Sequence, residues 1–187
     1  PSSIPSCCRY SQPVQSQGVL VFFSTVGTSC DDKLLQARAM IRILTFSTLF
    51  PNSARPNHGV FVQTRLRHLI SDRPEIDARV VAPVPWFPFS YKGFGNYSHL
   101  SSIEPQEMRC ALRVDHPRYL VVPKIGMSLT PWALYLGSLP TLKRLKEDFD
   151  LIDAHYFYPD GVAAVWLGKV LNKPVVIRAR GTDINLI

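Results

Sequence analysis

The residues best able to do chemistry fall in three short stretches, one past the loop that follows a β-favouring run and two at the carboxyl ends of such runs. The first is Pro56-Asn57-His58-Gly59, where a glycine opens a helical pattern. Glycine there lets backbone come close to a ligand, and the free amides and dipole of a helix start favour a phosphate. Gly59 is equally the residue a turn would select for its geometry alone. The second stretch is Asp153-Ala154-His155-Tyr156-Phe157-Tyr158-Pro159-Asp160-Gly161. His155 ends an apolar strand, where polar side chains of parallel sheets converge on ligands, although a histidine among apolar residues is often a satisfied core residue. Asp160-Gly161 opens the next helix, with Asp160 serving as an N-cap or as a ligand contact. The third stretch is Arg178-Ala179-Arg180-Gly181-Thr182-Asp183. Arginines two apart on a strand point to the same side, so both could face one anionic group or pair with a carboxylate such as Asp183.

The elements that must position these residues alternate between strand and helix. Ile41 to Phe46 is a β-favouring run that leads into a loop, Ser47 to His58, punctuated by Pro51 and Pro56. Val62, Leu66, Leu69 and Ile70 then recur at helical spacing, with Arg65, Arg67 and His68 off the stripe, until Pro74. Ala78 to Ala82 reads as a strand closed by Pro83 and Pro85, and Trp86 to Glu107 as a long surface loop. Leu112–Val114 and Tyr119–Val122 read as short strands. A helix is predicted across Trp132–Leu139 and a second across Leu142, Leu145 and Phe149, with Pro140 as its first-turn residue. Leu151–His155 reads as a buried strand, Val162–Leu171 as an apolar helix, and Pro174–Ala179 as the last strand, ended by Gly181. Strands joined by single helices imply right-handed crossovers and an α/β, Rossmann-like, doubly wound parallel sheet with helices on both faces. Ligands of such sheets sit beyond the carboxyl ends of the strands, where strand order reverses.

The composition bounds the classes. The chain has 187 residues, 46% apolar and 19% charged, enough for one domain with a real core. Its 21 Lys and Arg against 14 Asp and Glu give a formal charge of +7, which suits anionic partners. The longest uncharged apolar run, Gly18 to Thr28, is too short to cross a bilayer. Cys7, Cys8, Cys30 and Cys110 show no metal-ligand spacing, which argues against a disulfide scaffold or a zinc site and fits a reducing compartment. Residues 1–39 are rich in Ser, Pro and Gln, show no sustained period and lack the order of a secretory signal. They read as a disordered or non-native extension before a natural start at Met40, and residues 40–187 as the folded domain. Without an initial Met, and stopping just after a strand and turn, the chain reads as a fragment cut at both ends.

Taken in order, Ile43-Leu44-Thr45-Phe46, His58-Gly59-Val60-Phe61-Val62, Asp153-Ala154-His155, Pro159-Asp160-Gly161, Pro174-Val175-Val176-Ile177 and Arg180-Gly181-Thr182-Asp183 resemble the N-terminal half of a family 4 glycosyltransferase. The resemblance covers roughly residues 41–187. It implies the GT-B architecture, in which two Rossmann-like domains face across a cleft. It further implies retaining transfer of a sugar from a nucleotide-sugar donor to a glycan or lipid-linked acceptor, with no metal and no cofactor beyond the donor. By resemblance His155 is the histidine beside the reacting centre, Gly59 approaches the donor diphosphate together with Arg180 and Gly181, and His58, Asp160, Gly161, Thr182 and Asp183 line the cleft or hold the acceptor. The family's last-strand motif is usually His-Gly-x-Asp, so Arg180 departs from it while Gly181 and Asp183 match. The C-terminal donor domain would follow Ile187, and the fragment alone is expected to be inactive. No paired carboxylates with glycosidase-like placement are evident, which argues against hydrolysis.

Other classes find less support. A Rossmann-type nucleotide-binding or oxidoreductase domain would carry G-x-G-x-x-G after its first strand, where this chain has Ser47-Thr48-Leu49-Phe50-Pro51. A non-enzymatic basic module would use Arg65, Arg67, Lys143, Arg144 and Lys146 on nucleic acid or an anionic membrane. Charge runs are usually solvated faces, so no nucleic-acid partner is expected. The resemblance, through lipid-linked acceptors, favours peripheral contact with the inner face of a membrane from the cytoplasm, with Trp86-Phe87-Pro88-Phe89 either a contact segment or a packed loop.

Overall fold

Ile41-Arg42-Ile43-Leu44-Thr45-Phe46 is rich in β-branched and large apolar residues and forms the central strand β1 (Ile41–Phe46) of a six-stranded sheet. Its last four residues are buried whichever way they point, as a strand covered on both faces requires. The computed structural model describes residues 40–86, 103–121 and 126–179. Within them β1 is followed by α1 (Val60–Asp72), β2 (Ile76–Val81), β3 (Val84–Trp86), β4 (Gln106–Arg109), β5 (Leu112–Asp115) and β6 (Arg118–Leu120). Then come α2 (Gly126–Arg144), β7 (Leu151–His155), α3 (Val162–Leu171) and β8 (Val175–Arg178).

The larger sheet has the order β4-β5-β2-β1-β7-β8, parallel throughout except for the β4–β5 hairpin. From β1 the chain goes to one side for β2 and β5 and returns on the other for β7 and β8, so strand order reverses between β1 and β7. Alternation along the strands sorts the core into two layers. Leu44, Phe46, Ile152 and Ala154 pack with Leu134 and Leu142 of α2 and Ala163 and Leu167 of α3. Ala78, Val80, Leu112 and Val114 pack with Val62 and Leu66 of α1. This is the α/β, Rossmann-like arrangement with helices on both faces.

Several boundaries differ from the sequence expectations. The two helices expected on either side of Pro140 are one, α2, with Pro140 inside it, and Leu142 and Leu145 continue its buried side. Proline removes the hydrogen bond to the carbonyl of residue 136, and both Leu136 and Pro140 are exposed, so water can take that carbonyl. Phe149 lies beyond the helix, after a 3-10 turn (Lys146–Asp148). The expected surface loop Trp86 to Glu107 ends in a strand, β4, which turns into β5 through Cys110 and Ala111 at φ 48° and 66°. Two successive left-handed residues make a hairpin turn usually marked by Asn or Gly, so the sequence carries no signal for it. Pro85, expected to close a strand, lies within β3, whose single neighbour among the described residues is β6. A short strand with one partner tolerates the missing N–H.

One end of the β1–β7 pair is held by a charged clamp. The Arg42 backbone N–H donates to Asp150 Oδ2 at 3.0 Å, and its side chain donates to both carboxylate oxygens at 3.2 and 2.7 Å. The Asp150 N–H returns a bond to the Arg42 carbonyl at 2.8 Å. These hydrogen bonds from Arg42 hold the Asp150 carboxyl below its ordinary value of 3.8. A carboxyl whose folded pKa is depressed stabilises the fold above its unfolded pKa, and that stability is lost as pH falls through the folded value. Asp150→Asn is therefore expected to lower stability at neutral pH and to lose that deficit on acidification. Urea unfolding between about pH 6 and about pH 2.5 measures it, and a deficit constant across that range would refute the clamp's role.

Candidate functional site

The loop leaving β1 folds back over the carboxyl end of the sheet because a buried carboxylate holds it there. Asp160, 1% exposed, accepts from the Thr48 N–H at 2.7 Å, from Thr48 Oγ1 at 3.0 Å and from Ser47 Oγ at 3.4 Å. Asp160 lies in a wide π-type turn (Phe157–Gly161) after β7, and the N-cap position of α3 is Gly161. Asp160 thus cross-links the β1 loop to the β7 turn. Gly161 is buried, and a Cβ there would lie 2.8 Å from the Tyr156 carbonyl oxygen and 3.0 Å from Ile177 Cγ2.

Gly59 stands at the entry to α1 with φ 69° and ψ 28°, a left-handed conformation that side chains other than hydrogen resist. A Cβ at Gly59 would fall 2.2 Å from the Leu49 carbonyl oxygen. Both the turn geometry and a close approach require glycine, and the close approach is to the chain's own β1 loop. His58 beside it is half-buried, and burial, reinforced by the Arg55 cation, lowers its pKa below 6.5. Its imidazole is therefore neutral at pH 7 and can accept as well as donate a hydrogen bond.

At the end of β7, Asp153 and His155 share one face of the strand, the face covered by α1. Both are 2% exposed or less. Arg178, in register with His155 on β8, donates from Nε to Asp153 Oδ1 at 2.5 Å. Arg65 of α1 brings Nη1 to 3.8 Å from Asp153 Oδ2, and His155 Nε2 lies 3.8 Å from the same oxygen. A charge this deeply buried is tolerated only when paired, and Asp153 meets cations at both oxygens. Of the two alternatives the sequence left for Arg178, an anionic ligand or a carboxylate partner, it takes a carboxylate, the buried Asp153, and Arg65 leaves the basic face to reach the same group. Tyr156, directly after His155, adopts φ 75° and ψ 142°, a costly conformation for a residue with a side chain and one that collects at functional sites. Its ring meets the edge of Phe61 from the first turn of α1, with centroids 6.3 Å apart.

These contacts bring Gly59, His58, His155, Asp160 and Gly161 to one rim, beside the point where strand order reverses. Arg180, Gly181, Thr182 and Asp183 lie outside the described residues. Sequence reasoning passed over Asp153 and Arg65. The two-residue spacing of Asp153 and His155 signals a shared face, whereas nothing local signals that Arg65, at the border of the apolar stripe, bends under the helix. Among the described residues no three His, Cys, Asp or Glu side chains gather as a metal ion would need.

Two substitutions test this construction. Asp160→Asn sets an amide N–H₂ against donors and is expected to cost about 1–3 kcal/mol, measured by urea unfolding. Unchanged stability would show that the cross-link does not hold the loop. Gly59→Ala forces a Cβ onto a backbone carbonyl in a left-handed turn and is expected to cost about 2 kcal/mol or more. A loss under about 0.5 kcal/mol would mean that the Leu49 approach relaxes freely.

The chain is similar to a Bacillus subtilis (strain 168) protein named "Putative teichuronic acid biosynthesis glycosyltransferase TuaC", with 27% identity over 148 residues. That alignment covers 78% of this chain and 38% of the relative, so the chain spans well under half of that protein. No family model and no solved structure matches the chain.

Proposed function

We propose that this chain is the acceptor-side half of a family 4, GT-B glycosyltransferase that transfers a sugar, with retention, from a nucleotide-sugar to a glycan or lipid-linked acceptor. The observation that carries the reading is the meeting of Gly59, Asp153, His155 and Arg178 at the carboxyl rim between β1 and β7, where ligands of doubly wound sheets bind. The likeness to a glycosyltransferase points to the same reaction class. In place of the glycine-rich turn of dinucleotide-binding domains, β1 is followed by a long loop pinned by Asp160, which weighs against the oxidoreductase alternative.

Sugar transfer breaks the bond between the anomeric carbon and a diphosphate oxygen. The electron pair leaves with the diphosphate, the acceptor oxygen takes its place at carbon, and the acceptor proton is given up. The rim supplies what the departing anion needs: the N-terminal end of α1 after Gly59 and the guanidinium of Arg178. His155 ends β7 with Nε2 3.8 Å from Asp153 Oδ2, and in this reading it is the group beside the reacting centre. The donor-side residues come from a second domain, and no metal is required. The name of the B. subtilis relative speaks of teichuronic acid biosynthesis, which supports polysaccharide biosynthesis as the setting of this reading.

A chimera joining this chain to the remaining part of the B. subtilis relative tests the proposal against a panel of nucleotide-sugars. Acceptor-dependent release of nucleoside diphosphate is expected from the chimera, and none with repeated turnover from the chain alone. His155→Ala is expected to lower kcat by about 10²-fold or more. Multiple turnovers by the isolated chain, or an unchanged kcat in His155→Ala, would overturn it.

A further inference from the structure

On the other side of β1 from the candidate site, a second histidine is buried at the carboxyl end of the sheet. His116 directly follows β5, and its side chain is 1% exposed. Each of its nitrogens is engaged. The backbone N–H donates to the Pro105 carbonyl, just ahead of β4, at 2.8 Å. Nδ1 lies 2.9 Å from the Ala82 carbonyl oxygen, just past β2, and Nε2 lies 3.0 Å from Glu107 Oε1 on β4. A carbonyl oxygen only accepts, so Nδ1 carries a hydrogen. In a neutral ring Nε2 would then turn a lone pair toward the Glu107 carboxylate, which also only accepts. That contact is attractive only with a proton between the two groups, and imidazole is a stronger base than a carboxylate. The geometry therefore calls for an imidazolium with both ring N–H groups donating.

The other charged groups packed nearby have their own partners. Arg109, also on β4, places Nη1 3.6 Å from the same Glu107 oxygen. Asp115, the residue before His116, accepts from Arg79 of β2, Gln106 of β4 and Arg144 of α2 at 2.9, 2.7 and 3.0 Å. Arg118 of β6 donates to the Ile103 carbonyl at 3.1 Å. Glu104 lines a cavity together with Glu107 and with Ser53 and Ala54 of the β1 loop. We propose that His116 and Glu107 form a proton-operated latch that fastens β4 to the carboxyl end of the sheet. β4 is four residues long, stands at the sheet edge and pairs with β5 alone among the described residues. With the proton in place, His116 draws together Pro105, Glu107 and Ala82. Its loss sets a lone pair against a carboxylate and loosens β4, and with it the Glu104–Glu107 wall of the cavity beside the β1 loop. A histidine whose proton is held by a partner in the folded chain adds stability that is full below the ordinary histidine value of about 6.5 and is lost as pH rises past it. The inference stands apart from the sugar-transfer reading and needs no activity to test.

Nitrogen NMR of the imidazole ring in the whole chain reads the proton directly, and both His116 ring nitrogens are expected to carry hydrogen at about pH 7. Glu107→Gln separates charge from fastening. Its amide N–H₂ can donate to Nε2 of a neutral ring whose Nδ1 still donates to Ala82. Urea unfolding of both proteins between about pH 6 and about pH 9 cancels the remaining titrating groups. The folding constant of the unaltered chain relative to the variant is expected to fall about fivefold or more over that range. Hydrogen exchange, corrected for base catalysis, is expected to show β4 protection relative to β1 falling by a similar factor in the unaltered chain only. A His116 ring with a single hydrogen at about pH 7, a ratio of folding constants steady within about twofold, or β4 protection that ignores pH would each overturn the latch. Should Glu107→Gln fail to fold, the nitrogen NMR and the β4 exchange of the unaltered chain decide the matter alone.

Discussion

The pairing of β1 with β7 is the constraint on which the rest of the structure depends. The two strands lie more than a hundred residues apart along the chain, with Arg42 and Asp150 separated by 108 positions, and parallel strands have no hairpin turn to set their register. Two carboxylates do that work. Asp150 binds the backbone and side chain of Arg42 where the strands begin, and Asp160 binds Ser47 and Thr48 just past their ends. A slip of one residue would turn every side chain of β7 to the opposite face, sending Asp153 and His155 into the apolar layer under α2 and α3 and Ile152 and Ala154 under α1. Charged hydrogen bonds at both ends of the seam make that slip costly.

The two faces of the sheet consequently carry different duties. The layer beneath α2 and α3 is dominated by apolar side chains around Leu44, Phe46, Ile152 and Ala154, with Ser138 of α2 buried as well. The layer beneath α1 is apolar over β2 and β5 but changes character at β7 and β8, where Asp153, His155 and Arg178 replace hydrocarbon. Those polar groups are confined to the strand ends, where α1 contributes Arg65 from its second turn and Phe61 from its first. A buried carboxylate there is held by partners on three separate elements, α1, β7 and β8, so the rim can be rigid although most of it is built from loops and strand termini.

Much of this was legible in the sequence, and the exceptions have physical causes. Strands β1, β7 and β8 and helices α1 and α3 announce themselves as apolar runs of the right length and period, and their order fixes the parallel architecture. Pro140 misled because proline ordinarily breaks a helix, whereas α2 carries it at an exposed position where water can take the freed carbonyl. The β4–β5 turn at Cys110-Ala111 is invisible because its left-handed residues are neither glycine nor asparagine. At the site, Gly59 and His155 are visible as residue types at strand ends, whereas the Asp153–Arg178 and Arg65–Asp153 pairs are long-range choices of partner that no local pattern encodes. The Arg178 reading shows the limit plainly: the spacing locates the cation on the correct edge, and only the fold decides which carboxylate it meets.

Gly59 shows how a residue can be located for one reason and retained for another. A glycine at a helix start suggests a phosphate, but here the space a side chain would fill is taken by the Leu49 carbonyl of the same chain. The glycine would be needed even with no ligand, because the loop that Asp160 pulls across the rim passes too close for a Cβ. The amides that follow Gly59 open α1 and are the groups an anion at this end would meet, and the glycine shapes the loop beside them. Asp160, Leu49 and Gly59 thus form one device: a carboxylate holds the loop, the loop presses on the glycine, and the glycine sets the direction from which α1 leaves. That direction carries Phe61 to Tyr156 and Arg65 to Asp153, which couples the first turns of α1 to the residues around His155.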